Sequence, residues 1–141
     1  MGYHVTIDLS QLRIYYPVNG VITSRKFVAG NRDVARGFLR AWVEGIKIFK
    51  TDKDQSLKVL AKYLKIQDRE ILEKSHEIYR PVYKKIPYGD RRAVRFALEQ
   101  MAKDIPESAK LNADDFIDNS IISELEKSGF IDQIYQPTSK P

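Results

Sequence analysis

The side chains able to do chemistry are few and scattered. The two histidines, His4 and His76, stand far apart in the chain. Glu73, His76 and Glu77 follow helical spacing and could share part of one helix face, from which imidazole and carboxylate could hold a metal. Three polar residues on an exposed helix are the commoner outcome, so no metal site is assigned. Ser24, Ser56, Ser75 and Ser120 lie in no nucleophile elbow and have no ordered base and acid partners, which leaves acyl-transfer chemistry without support. Asp114, Asp115 and Asp118 could pair for acid–base work. Aspartates at a helix start meet exposed amide groups favourably, and that reading is preferred. There is no glycine-rich phosphate loop. Gly37 and Gly45 lie inside a helical pattern and read as permitting close helix packing. The chain has no cysteine, hence no thiol nucleophile, disulfide or cysteine metal site. No catalytic residue, metal or cofactor is expected, and the chain reads as a binder rather than an enzyme.

The tyrosines are more suggestive. Tyr15, Tyr16, Tyr79, Tyr83 and Tyr88 cluster near expected loops and helix ends. A phenol has an apolar body and a polar tip, useful at the rim of a pocket. Packing at the edge of a core explains them equally well, and both readings stay open. Tyr16 and Asn19 stand just before a β-branched run, and a loop at a strand boundary is a common place for ligand contacts.

The elements that must position these residues are centred on residues 21–50. This stretch reads as a short buried strand, a link over residues 25–31, and one long amphipathic helix. Val34, Phe38, Trp42, Ile46 and Phe49 recur at intervals of four and three, the period of a helix with a buried stripe. Asn31 is placed to cap it, with Asp33 in its first turn and Lys47 and Lys50 at its other end. A solvated helix would not carry the only tryptophan on such a stripe, so some other surface must cover it. Before it, residues 3–9 alternate as a strand, residues 11–16 are compatible with extended chain, and Asn19–Gly20 is a turn pair. Residues 20–24 are rich in β-branched residues and give the second strand.

Helices are then expected over about residues 53–64, capped by Thr51 or Asp52, and about 69–83, capped by Asp68, with Pro81 kinking or ending the latter near Arg80. Another is expected over about residues 91–103 and a last over about 120–128. Residues 86–90 and 105–111 read as loops, and residues 114–117 as one helical turn. Gly129 is placed as a left-handed residue, with Phe130 folding back onto Leu125. The expected fold class is α/β and helix-dominated, with about two strands and five helices. A single domain would span residues 1–135, followed by a disordered tail, 136–141.

Hydrophobic residues make up 43 % and charged residues 30 % of the 141, ordinary globular values. Net charge is +5, from 24 Lys and Arg against 19 Asp and Glu. The basic clusters RKF, YKK and DRRAVR are only two or three charges deep, so a solvated basic surface is expected rather than a nucleic-acid interface. No apolar run is long enough to span a membrane, and the first ten residues do not read as a signal peptide.

One further signal comes from longer runs. The segment YYPVNGVITSRKFVAGNRDVARGFLRAWVEGIKIFKTDKDQSLKVLAKYLKIQD, followed later by DDFIDNSIISELEKSGFIDQIY, resembles the C-terminal half of the solute-binding proteins of ABC importers for nitrate, taurine and alkanesulfonates. Their superfamily also includes proteins of thiamine-precursor uptake. The resemblance covers roughly residues 3–135. It implies part of a periplasmic-binding-protein type II lobe, from a protein whose two lobes close over a small anionic or polar solute without catalysis. It also implies an ABC permease as partner and a periplasmic or extracytoplasmic location. By position, Tyr16, Asn19, Thr23 and Arg25 would contribute to the solute cleft. The chain would lack the other half of such a protein, and self-association into a homodimer is expected to cover the exposed surface. The alternative is a small basic helical module that binds a protein or nucleic acid.

Overall fold

The computed structural model describes Thr6, Tyr15, Pro17 and residues 19–136. Among these residues every regular element is helical: seven α-helices and two short 3-10 helices. The expected α/β class, with its two strands in a partial periplasmic-binding-protein lobe, is therefore overturned. Residues 20–24, expected as a strand, have no regular structure, and Val21 and Ile22 are 44 % and 97 % exposed. A β-branched run becomes a strand only when another strand takes up its backbone hydrogen bonds, and none of the described residues does so. Ser24 instead starts a helix, its Oγ accepting the Phe27 N–H at 3.1 Å. The stretch expected as a link is thus helix α1 (Arg25–Gly30). The expected strand over residues 3–9 lies outside the described residues except for Thr6, and the expected extended stretch 11–16 except for Tyr15.

The chain forms two compact units. One comprises Thr23–Tyr88 and Asn119–Pro141. Its long element is α2 (Arg32–Thr51), with Asp33 in the first turn and Lys50 in the last, both favourable to the helix dipole. Asn31 sits between α1 and α2, but its side chain makes no N-terminal cap. It donates back to the Phe27 carbonyl at 3.1 Å. Helix α3 (Lys53–Leu64) is capped by Asp52, which accepts the Gln55 N–H at 2.9 Å. Helix α4 (Arg69–Tyr79) is capped by Asp68, which accepts the Glu70 and Ile71 N–H groups. It stops at Tyr79 rather than at residue 83, as Pro81 dictates. Helices α2, α3 and α4 pack in succession.

The other end of the chain closes onto α2. Helix α6 (Ser120–Lys127) and helix α7 (Phe130–Tyr135) flank Gly129, whose φ of 76° is left-handed and suits a residue without Cβ. Phe130 was expected to fold back as part of a helix-ending motif. It opens α7 instead, packing beside the core that contains Leu125. That core is Val43 of α2, Ile121, Ile122 and Leu125 of α6, and Ile131 of α7.

The second unit comprises Met1–Ile22 and Gly89–Asp118. Helix α5 (Arg91–Met101) is capped by Asp90. It packs against 3-10 helices Pro106–Lys110 and Ala113–Phe116, which occupy most of the expected loop and helical turn. Ser108 is buried and its hydroxyl donates to the Leu98 carbonyl at 2.9 Å, which ties the first of them to α5.

The stripe expected on α2 is only partly covered. Ile46 is buried and Trp42 and Phe49 are half-buried, but Val34 and Phe38 are 61 % and 55 % exposed. The deeply buried residue is Val43, on the far side from Val34. Helix α2 therefore carries two apolar faces, and the sequence reading merged them into one.

Candidate functional site

The four residues assigned to a solute cleft are distributed as follows. Tyr16 lies outside the described residues. Asn19 is exposed in the first twenty-two residues' unit. Thr23 and Arg25 belong to the other unit, on either side of the Ser24 cap, both exposed. Thr23 offers a hydroxyl and Arg25 a five-donor guanidinium, the chemistry suited to a carboxylate, nitrate or sulfonate group.

Four of the polar residues considered for catalysis have structural partners. Ser24 caps α1. The buried Ser56 hydroxyl donates to the Asp52 carbonyl at 2.6 Å. Ser120 lies 3.4 Å from Arg32 Nη2 and accepts from it. Asp114 pairs with Arg91 at 3.0 Å. No group of three potential metal ligands is found among the described residues. Glu73 instead faces Arg69 and Lys53, while Glu77 faces Lys53. Three of the tyrosines have partners within their own units. Tyr15 stacks under the Arg92 guanidinium at 4.0 Å, Tyr83 meets Phe49 edge-on, and the Tyr88 hydroxyl donates to Glu126. That bond holds the Tyr88 pKa above the usual phenol value, because losing the proton would bring two anions together.

Sequence reasoning missed two constellations. The first locks the C-terminal end of α2 to α4. His76 is 4 % exposed, and its ring packs 4.9 Å from that of Phe49. Its Nε2 lies 2.8 Å from the Phe49 carbonyl oxygen. A carbonyl only accepts, so Nε2 carries the hydrogen in this contact. Beyond it, Lys50 Nζ donates to the Arg80 and Tyr83 carbonyls at 3.1 and 2.8 Å, and Arg80 Nε donates back to the Lys50 carbonyl at 3.1 Å. The helix-end carbonyls, which have no partner within their own helix, are satisfied by these side chains. His76 thus packs and hydrogen-bonds at the junction of α2 and α4.

The second constellation joins α2 to α6. Arg32 and Arg36, one turn apart, both donate to the Glu124 carboxylate, the latter at 3.0 Å. The i, i+4 spacing of the two arginines was visible; their common acceptor, eighty-eight residues beyond Arg36, was not. Hydrogen bonds from Arg32 and then Arg36 hold the Glu124 carboxyl below the usual range. Glu124 is therefore easier to ionise folded than unfolded. The stability it contributes is present above the ordinary glutamate pKa and is lost as pH falls through its lower folded value. Partial exposure lets water screen this gain. The Glu124→Gln variant is expected to be less stable at neutral pH and to lose less stability on acidification than the parent. Urea midpoints measured from neutral pH to pH 3 check this, and parallel curves would contradict it.

No described helix is long and apolar enough to cross a membrane. In comparison with known proteins, no family model, no curated protein and no solved structure matches this chain.

Proposed function

We propose that the chain is the helical portion of the solute-binding component of an ABC importer. In this reading it captures a small anionic or polar solute outside the cytoplasm and passes it to a membrane permease, with no catalysis. Nitrate, a sulfonate and a thiamine precursor are the solute classes considered. One observation supports the reading best. The two runs that carry the resemblance are far apart in sequence, yet α2 from the first and α6 and α7 from the second share one core and the Arg32–Glu124–Arg36 bridge. Segments that act as one body in a receptor lobe would have to meet in this way. Thr23 and Arg25 supply polar groups on the same unit; Tyr16 and Asn19 are assigned to solute binding by the resemblance alone.

A nucleic-acid module is less well supported. Arg32, Arg36, Lys53 and Lys85 are committed to carboxylates of this chain, which leaves less charge for phosphate contacts. The test is calorimetric titration of the chain with nitrate, taurine, ethanesulfonate and a hydroxymethylpyrimidine. Saturable binding of one solute is expected, weakened about ten-fold or more by Arg25→Ala, the scale for loss of a charge-assisted hydrogen bond. Absence of heat with every solute at millimolar concentration would overturn the proposal.

A further inference from the structure

Among the described residues the Tyr135 hydroxyl, in α7, is a buried polar group with no hydrogen-bond partner. Less than 1 Å² of its oxygen is accessible to water, so water does not replace the partner. Burial accordingly raises the Tyr135 pKa above the usual phenol value, although the nearby Lys85 charge pulls it down. A buried phenol normally pairs its hydroxyl. Leaving it unpaired disfavours the docked position of the helix that carries it.

The other contacts of α7 are few. Ile131 is its one buried residue, whereas α6 is anchored by three, Ile121, Ile122 and Leu125. Outside the core, Arg40 of α2 lies over the Phe130 ring, 4.4 Å from its centroid. Lys85 lies over the Tyr135 ring at 5.0 Å and pairs with Asp132 at 2.6 Å. The Lys85 and Asp132 side chains are 41 % and 74 % exposed, so water screens this pair. Gly129 joins α6 to α7 in its left-handed conformation, and a Cβ added there would meet nothing within 4 Å. The glycine therefore serves backbone freedom rather than close packing. We infer that α7 is a strap that releases from the core as one piece, turning at Gly129, while α6 stays docked. The Tyr135 hydroxyl sets the balance. It is hydrated when α7 is released, and it loses that water without gaining a partner when α7 docks. Release uncovers the part of the core that Ile131 closes.

The inference stands apart from solute binding, since neither Thr23 nor Arg25 takes part. It is tested by amide hydrogen exchange on the full chain, read residue by residue. The Gln133 and Gln136 amides donate to the Gly129 and Gln133 carbonyls at 2.9 and 3.2 Å and report on α7. They should exchange faster than the amides of α6. Their exchange should hardly respond to low urea, because a local release exposes little surface, while α6 amides exchange faster as urea rises. Tyr135→Phe is the decisive variant. It keeps the ring beneath Lys85 and removes only the hydroxyl. It should slow exchange at Gln133 and Gln136 by about ten-fold, the scale for removing a buried polar group that lacks a partner. Unchanged or faster exchange in Tyr135→Phe would mean that the hydroxyl does not oppose docking, and would overturn the inference. Equal rates and equal urea dependence in α6 and α7 of the parent would also overturn it, since α7 would then have no release of its own.

Discussion

Replacing Ile131 with alanine is expected to destabilise the unit built on α2 by about 3–4 kcal/mol, the usual cost of truncating a large core side chain. Ile131 is 1 % exposed and belongs to the cluster in which Val43, Ile121, Ile122 and Leu125 meet. Helix α7 is only six residues long, too short to hold itself together in water. Its stability comes from this docking, and few other side chains anchor it so deeply. The loss should therefore appear as reduced global stability in urea, followed through the fluorescence of the half-buried Trp42. Phe38→Ala, at an exposed position of the same unit, serves as the reference. Under monomeric conditions it should change stability by less than about 0.5 kcal/mol. Equal effects of the two substitutions would mean that the core is not where the fold places it.

The second large effect is expected at His76. His76→Ala should cost about 2–4 kcal/mol, combining a cavity beside Phe49 with loss of the hydrogen bond to its carbonyl. His76→Phe restores the volume but not the donor, so it should recover part of the loss and no more. The comparison separates packing from hydrogen bonding at the α2–α4 junction. Denaturant unfolding of both variants is the check. Full recovery by phenylalanine would show that the Phe49 carbonyl does not need the imidazole.

Much of the helical layout was legible because its determinants are local. Asp52 and Asp68 cap the helices they were expected to cap, and Pro81 follows the end of α4. Gly129 adopts the left-handed conformation its position suggested. The strand expected at residues 20–24 failed for a non-local reason. Val21, Ile22 and Thr23 have strand-forming side chains, but propensity supplies no second strand, and the Ser24 cap gave α1 a local alternative. The Val34–Phe49 stripe misled in another way. Periodicity shows which residues share a face but not what covers it, and the run from Val34 to Phe49 spans both a covered and an exposed face of α2. Junctions such as His76 with Phe49, or Glu124 with Arg32 and Arg36, depend on partners distant in the chain and leave no mark in local spacing. The assigned solute residues were drawn from the resemblance. Of these, the structure describes Asn19, Thr23 and Arg25, all exposed.

The most direct test of solute capture is hydrogen exchange on the full chain with and without saturating nitrate, taurine or ethanesulfonate. Solute should slow exchange around residues 19–30, which include Asn19, Thr23 and Arg25, and leave α3 and α4 unchanged. Identical exchange in all conditions, or protection confined to α3 and α4, would contradict the assignment of this chain to solute binding through those residues.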